Sequence, residues 1–183
     1  MTPLQVNCAI ADVNTGIEEA VVLLANKGGR RIGFINGPDT TNTSHEKLNG
    51  YKLGLVRSEL AYDPNFVQKS DFCYEGGFEL TKQLLTRFPA LDAILYADDF
   101  IATGGMKAIR ESGRRIPDDV AIIGFGDFGL AEYADIPLSS IHYDIYEMGL
   151  IAARRLRCII QQPDNQFWCI QVPTRIVERE SSG

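Results

Sequence analysis

The chain has 183 residues, with 18 Lys and Arg against 24 Asp and Glu, a net charge of −6. Its composition, 45% hydrophobic, 23% charged and 9% aromatic, is that of a folded globular chain of one domain or a little more. A pI near 4.9 argues against a free-standing binder of nucleic acid or anionic membrane, which needs a basic face.

No stretch approaches the ~20 apolar residues of a membrane span. The start, Met1-Thr2-Pro3-Leu4-Gln5, shows no basic segment followed by an apolar run, so a secretory signal is not expected. Cys8, Cys73, Cys158 and Cys169 have no paired short spacing, and two histidines do not make a zinc site with them. Reduced thiols and a cytoplasmic location are expected.

Strand and helix patterns alternate. Leu4–Ala11 reads as a strand. Thr15-x-x-Glu18 resembles a capping box ahead of a helix carrying Ile17, Ala20, Val21 and Leu24, and Gly28-Gly29 stops it. Arg31–Asn36 is a buried strand ended by Gly37-Pro38. Thr43-x-x-Glu46 is a second capping box, opening a helix with Leu48, Tyr51, Leu55 and Val56 inward. Phe66–Phe72 reads as a strand and Gly77–Phe88 as a helix. Ala93–Ala97 is a strand, Ile101–Ser112 a helix and Asp119–Phe125 a strand. Ile145, Met148, Ala152, Leu156 and Ile159 mark a last amphipathic helix, and short strands follow at Trp168–Val172 and Arg175–Glu178. Ala93–Tyr96 and Val120–Ile123 are apolar without alternation, which suits strands covered on both faces. The fold class is therefore α/β, with a Rossmann-like parallel sheet flanked by helices.

Several motifs allow more than one chemistry. Gly124-Phe125-Gly126-Asp127-Phe128-Gly129 fits G-x-G-x-x-G, but it follows the fifth strand, and about seven residues separate it from Pro137. A glycine-rich turn fits that context better than a dinucleotide fingerprint. Asp98-Asp99 stands at a strand's carboxyl end, where ligands of open α/β sheets bind. It suits a magnesium pocket, an acceptor for a hydroxylated ligand, or a helix N-cap. Phe72 suits ligand stacking or an ordinary core. His45 and Lys47 oppose the dipole of the helix they begin, so they are either ligand contacts or a solvated pair. No G-x-S-x-G, H-E-x-x-H or P-loop occurs, and neither enzymatic activity nor a cofactor is expected.

One resemblance covers nearly the whole chain. Gly28-Gly29-Arg30-Arg31-Ile32-Gly33-Phe34-Ile35 resembles the "GHRRIAFI" of the lactose/galactose repressor family of bacterial transcription regulators. Lys47–Tyr51 resembles its "RLAGY", Ala97–Gly104 its "ANDLMALG" and Ile116–Phe125 its "VPEDVSVVGFDD". Pro137–Ile141, Tyr146–Gly149 and Val172–Ser181 are similar to "PLTTV", "YEMG" and "LPTELVVRES".

The resemblance implies a type I periplasmic-binding-protein-like effector region. Two lobes would clamp a sugar, sugar acid or purine, in a homodimer that binds operator DNA through an N-terminal helix-turn-helix. It implies one complete lobe, 12–141 with 174–183, plus a remnant of the other at 1–11 and 142–173, with the helix-turn-helix headpiece absent. A transport-type sugar receptor and a flavodoxin-like enzyme or receiver domain are the alternatives. By position, the resemblance implies effector contacts at Thr43, His45, Lys47, Phe72, Asp98, Gly126, Asp127 and Tyr143. Lys47 stands for the family's arginine, Asp98 for its asparagine, and Gly126 for its first aspartate. Lysine cannot reproduce an arginine fork, so the ligand's identity is not inherited. The apolar face of the last helix is expected to be poorly covered in a single copy.

Overall fold

The computed structural model describes residues 6–164 and 166–183. The chain divides into two compact units, residues 1–12 with 143–174 and residues 13–142 with 175–183.

The larger unit is built on a six-stranded sheet. In chain order it holds α1 (Val13–Asn26), β2 (Ile32–Asn36), α2 (Asn42–Arg57), β3 (Val67–Lys69), α3 (Tyr74–Arg87), β4 (Ala93–Tyr96), α4 (Asp99–Glu111), β5 (Ala121–Gly126) and α5 (Gly129–Glu132). β6 (Ser140–Tyr143) and β8 (Thr174–Val177) complete the sheet, whose order is β3-β2-β4-β5-β6-β8. β2 pairs in parallel with β3 and β4, β4 with β5, and β5 with β6.

Neighbouring residues of β2 show why its run does not alternate. Side chains of successive strand residues point to opposite faces. A side chain at Gly33 would meet Leu84 of α3, while Phe34 stacks on Tyr51 of α2 with ring centroids 5.1 Å apart. Helices therefore cover both faces, and all five residues of β2 are buried. The Tyr51 hydroxyl donates to the Ile32 carbonyl at 2.7 Å.

The helices pack in two close pairs, α1 with α2 and α3 with α4. Glycines form both seams. A Cβ on Gly50 would strike the Asn14 carbonyl, one on Gly77 the Ile101 carbonyl, and one on Gly104 the Tyr74 carbonyl. The buried stripe of α2 is Ser44, Lys47, Gly50, Tyr51, Gly54 and Leu55, so it differs from the expected one. Val56 is 72% exposed, because the close approach of α1 needs glycine where the hydrophobic pattern favours a large side chain.

Other boundaries also differ. α1 begins at Val13, which places Thr15 inside the helix rather than at its cap. The strand expected over Phe66–Phe72 is a 3-10 turn at Pro64–Phe66 followed by the three residues of β3, because Pro64 with the Asp63 cap favours a turn. α3 starts three residues before Gly77, with the Cys73 thiol accepting from the Gly76 N–H at 3.2 Å. α4 starts two residues before Ile101, since Asp98 caps it.

The smaller unit contains β1 (Cys8–Ala11), α6 (Ile145–Gln161) and β7 (Cys169–Val172). Leu4 and Gln5 of the expected first strand lie outside the described residues. β1 and β7 run parallel, from Cys8 opposite Cys169 to Ala11 opposite Val172. Asp144 caps α6, accepting from the Glu147 N–H. Arg155, the one buried residue of α6, donates to both carboxylate oxygens of Asp164, to Asn7 Oδ1 and to the Gln166 carbonyl. Leu156 and Ile160 are 59% and 72% exposed, so much of the helix's apolar surface is uncovered. Among the described residues no helix is long and apolar enough to cross a membrane.

Candidate functional site

Parallel strands all deliver their carboxyl ends to one edge of the sheet. In the larger unit that edge gathers the turns after β2, β3, β4 and β5.

The turn after β2 is fixed by Asn36. Its Nδ2 donates to the Ser44 carbonyl at 2.9 Å, and its Oδ1 accepts from the Gly37 N–H at 2.8 Å. Thr41 then caps α2, accepting from the Ser44 N–H at 3.2 Å. The cap is thus Thr41 and not Thr43, because the turn places the earlier hydroxyl over the free N–H groups. Thr43 and His45 lie on the exposed side of the first turn.

Lys47 lies on the opposite side of α2 and is 4% exposed. The solvated-pair reading therefore does not describe Lys47. Its Nζ donates to the Ala97 carbonyl at 2.6 Å, 3.8 Å from the centre of the Phe125 ring and 6.0 Å from that of Phe72. Burial pushes the Lys47 amine down to about 8, and the charges of Asp98 and Asp99 oppose the shift. A desolvated cation over an aromatic face gains ~2 kcal/mol, which helps hold the ammonium there.

Phe72 lies in the turn beyond β3, with a positive φ of 57°. Its ring fills the space a side chain at Gly37 would take, and 38% of the residue is exposed. It forms a half-open aromatic wall beside Lys47.

Asp98 and Asp99 divide their work. Asp98 caps α4, its Oδ1 accepting from the Phe100 N–H at 2.7 Å. Burial pushes its carboxyl up, while the Phe100 N–H and the Lys47 charge pull it down. Asp99 is fully buried, with Oδ1 accepting from the Ser140 hydroxyl at 2.7 Å and Oδ2 from the Phe128 N–H at 2.9 Å. Burial raises its carboxyl to about 6 despite both hydrogen bonds. Asp99 thus ties β4, β5 and β6 together.

Beyond β5 the chain turns through Gly126, at φ 122°, and Asp127, at φ 52°. The Phe128 ring occupies the space of any side chain at Gly126, which explains the missing carboxylate there. The Asp127 carboxylate lies 2.7 Å from Arg179 Nη2 and 3.0 Å from His142 Nδ1. It is committed to contacts within the protein. Tyr143, the last residue of β6, is counted with the smaller unit.

The structure therefore brings together Lys47, Phe72 and Asp98, and leaves Thr43 and His45 on the exposed side of α2. Sequence reasoning missed Asn36, Phe125, Ser140, His142 and Arg179. Of these, Phe125, Ser140 and Arg179 stand inside motifs that carried the resemblance, but their partners Lys47, Asp99 and Asp127 are 78, 41 and 52 positions away in the chain. Among the described residues no cluster of His, Cys, Asp and Glu could hold a metal ion. A cation, a carboxylate and an aromatic wall at one sheet edge can grip a molecule with hydroxyl groups and an apolar face.

Comparison with known proteins agrees with this architecture. The model of the periplasmic binding protein-like domain matches residues 21–182. The chain is 33% identical to the HTH-type transcriptional regulator CelR of Thermobifida fusca, covering 97% of this chain and 52% of that protein. It is 34% identical to the ribose operon repressor of Haemophilus influenzae, covering 88% and 49%. Among solved structures, the CelR–cellobiose complex superposes with a TM-score of 0.93 at 33% identity, over 97% of this chain and 54% of that one. The lac repressor dimer bound to operator and the anti-inducer ONPF gives 0.90 at 26% identity, over 98% and 54%. The chain spans about half the length of these relatives. It belongs to the family of periplasmic binding protein-like domains, and the relatives and solved structures it matches are bacterial transcription regulators.

Proposed function

We propose that this chain is the effector-sensing region of a sugar-responsive transcription regulator, acting in the cytoplasm as a homodimer and not as an enzyme. The observation that carries the reading is the Lys47 ammonium, held against Phe125 and the Ala97 carbonyl beside Asp98 and the open Phe72 ring. A buried cation needs a reason, since desolvation penalises it. A ligand hydroxyl or carboxylate accepting from Nζ supplies one, with Asp98 accepting from a second hydroxyl and Phe72 lying against the sugar's C–H face. The ligand class is a sugar or sugar acid. Ligand binding would alter operator binding through a helix-turn-helix, and no residue of this chain is assigned to DNA contact.

Similarity to named repressors favours the regulator over a transport-type receptor. The test is a thermal-shift titration with cellobiose, ribose and glucuronate, on wild type and Lys47→Met. A ligand that binds the native state at ~100 times its Kd adds ~2.7 kcal/mol and raises Tm by several degrees. The expected result is a rise with at least one of the three that the variant loses. No rise with any of them, or a rise the variant retains, overturns the proposal.

A further inference from the structure

Cys8 and Cys169 stand 161 positions apart, yet the parallel register of β1 and β7 sets them directly opposite each other. The Cys8 N–H donates to the Trp168 carbonyl at 2.8 Å, which anchors that register at its first residue. Opposed residues on neighbouring strands project to the same face, and strands lie ~4.8 Å apart. That spacing falls in the ~4.4–6.8 Å range of Cα separations that a disulfide bridges. Both thiols are free, Cys8 half-buried and Cys169 exposed. Nothing in the sensing site of the larger unit uses either.

We propose that Cys8 and Cys169 form a dithiol site that a small disulfide, such as oxidised glutathione, converts to an intramolecular disulfide. Cys169 is the more exposed thiol and reacts first. Its thiolate attacks one sulfur of the oxidant, forming a mixed disulfide and releasing one thiolate that takes up a proton. Cys8 then gives up its proton, and its sulfur attacks the Cys169 sulfur, expelling the second thiol of the oxidant. Two cysteine thiols and one disulfide become one protein disulfide and two free thiols, so electrons and protons balance. The neighbouring Cys169 thiol pushes the Cys8 thiol up, so Cys8 stays protonated until the second step, where proximity drives the attack. The product would staple β1 to β7 and fix the core of the smaller unit.

The experiment incubates the whole chain with oxidised glutathione, then reads intact mass and disulfide-linked peptides after proteolysis. The expected product links the peptides of Cys8 and Cys169 with the loss of two hydrogens and carries no glutathione on either of these residues. Cys8→Ser should instead retain one glutathionyl group on Cys169, and Cys73→Ser with Cys158→Ser should react like wild type. Preorganisation should make closure about tenfold or more faster in buffer than in urea. Four outcomes overturn the proposal: persistent thiols at positions 8 and 169, glutathionyl groups left on both, a link through Cys73 or Cys158, or equal rates in buffer and urea.

Discussion

Replacing Lys47 with methionine tests whether the buried ammonium is held at a cost. Methionine fills a similar volume without a charge, so packing against Phe125 and Phe72 is largely preserved. Burial lowers the Lys47 amine from 10.5 to about 8 in the folded chain. The gap corresponds to ~3 kcal/mol of disfavoured charge. The unfolded chain binds the proton more tightly across this interval, so wild-type stability rises with pH between about 8 and 10.5 relative to the variant. Below about 8 the penalty is fully present, and above 10.5 it is gone. At neutral pH the variant escapes the penalty but loses the bond to the Ala97 carbonyl, worth ~1 kcal/mol, and the ring contact, worth up to ~2 kcal/mol. The two stabilities therefore lie close together near pH 7, and the pH slope decides. Urea unfolding of both proteins at several pH values measures it. The stability difference, wild type minus variant, should climb by ~1–3 kcal/mol between about pH 7 and pH 10.5, because ring attraction moderates the effect of burial. A difference that stays flat, or falls, would refute a desolvated ammonium at this position.

The remaining predictions concern the frame around the site. Asp99→Asn should stabilise the chain near pH 7.5. The raised carboxyl, at about 6 instead of 3.8, disfavours the ionised form by up to ~3 kcal/mol, and the amide can still bond Phe128 and Ser140. Because the folded value is the higher one, wild type should recover against this variant as pH falls from about 6 to 4, again read by urea unfolding. Gly50→Ala drives a methyl into the Asn14 carbonyl and should cost ~3 kcal/mol by the same assay, whereas Gly129→Ala, with open space at Cβ, should cost under ~1 kcal/mol. Ser181→Ala removes the hydroxyl that accepts from the Ser139 N–H and donates to the Ile122 carbonyl. It should cost ~2 kcal/mol and speed amide exchange at Ser139.

The strands of the larger unit were legible because burial on both faces writes a continuous apolar run, as in Ala93–Tyr96. Their parallel pairing followed from the helices between them. Helix caps were less legible. Thr41 and Thr43 both stand at the start of α2, one before it and one in its first turn, and only the Asn36 turn decides which hydroxyl reaches a free N–H. The stripe of α2 was misread because a hydrophobic pattern counts large side chains, while this interface is set by Gly50 and Gly54. The candidate site was half legible. Position in a motif singled out Lys47 and Asp98, but the carboxylate of Asp127 looked available until the structure placed Arg179 and His142 against it. Those pairs join segments tens of residues apart, and no local spacing encodes them.

The two most perturbed ionisable groups at the sheet edge, Lys47 and Asp99, shift in the direction that favours their neutral forms. Yet they are not equivalent. Asp99 has two donors on its two oxygens and knits β4, β5 and β6 together, so its burial supports the frame. Lys47 has one carbonyl acceptor and the face of an aromatic ring, which leaves donor capacity on an ammonium that can form three hydrogen bonds. Asparagine can replace Asp99 without emptying its bonding pattern, whereas nothing in the frame requires an amine at Lys47. On the proposed reading, an ammonium whose burial is penalised and which holds spare donors beside an open aromatic wall is kept for a ligand. For that reason the stability of Lys47→Met and its response to sugars should be measured on the same protein preparation. A variant that is no less stable but blind to ligand separates binding from folding, and one that loses both returns Lys47 to the frame.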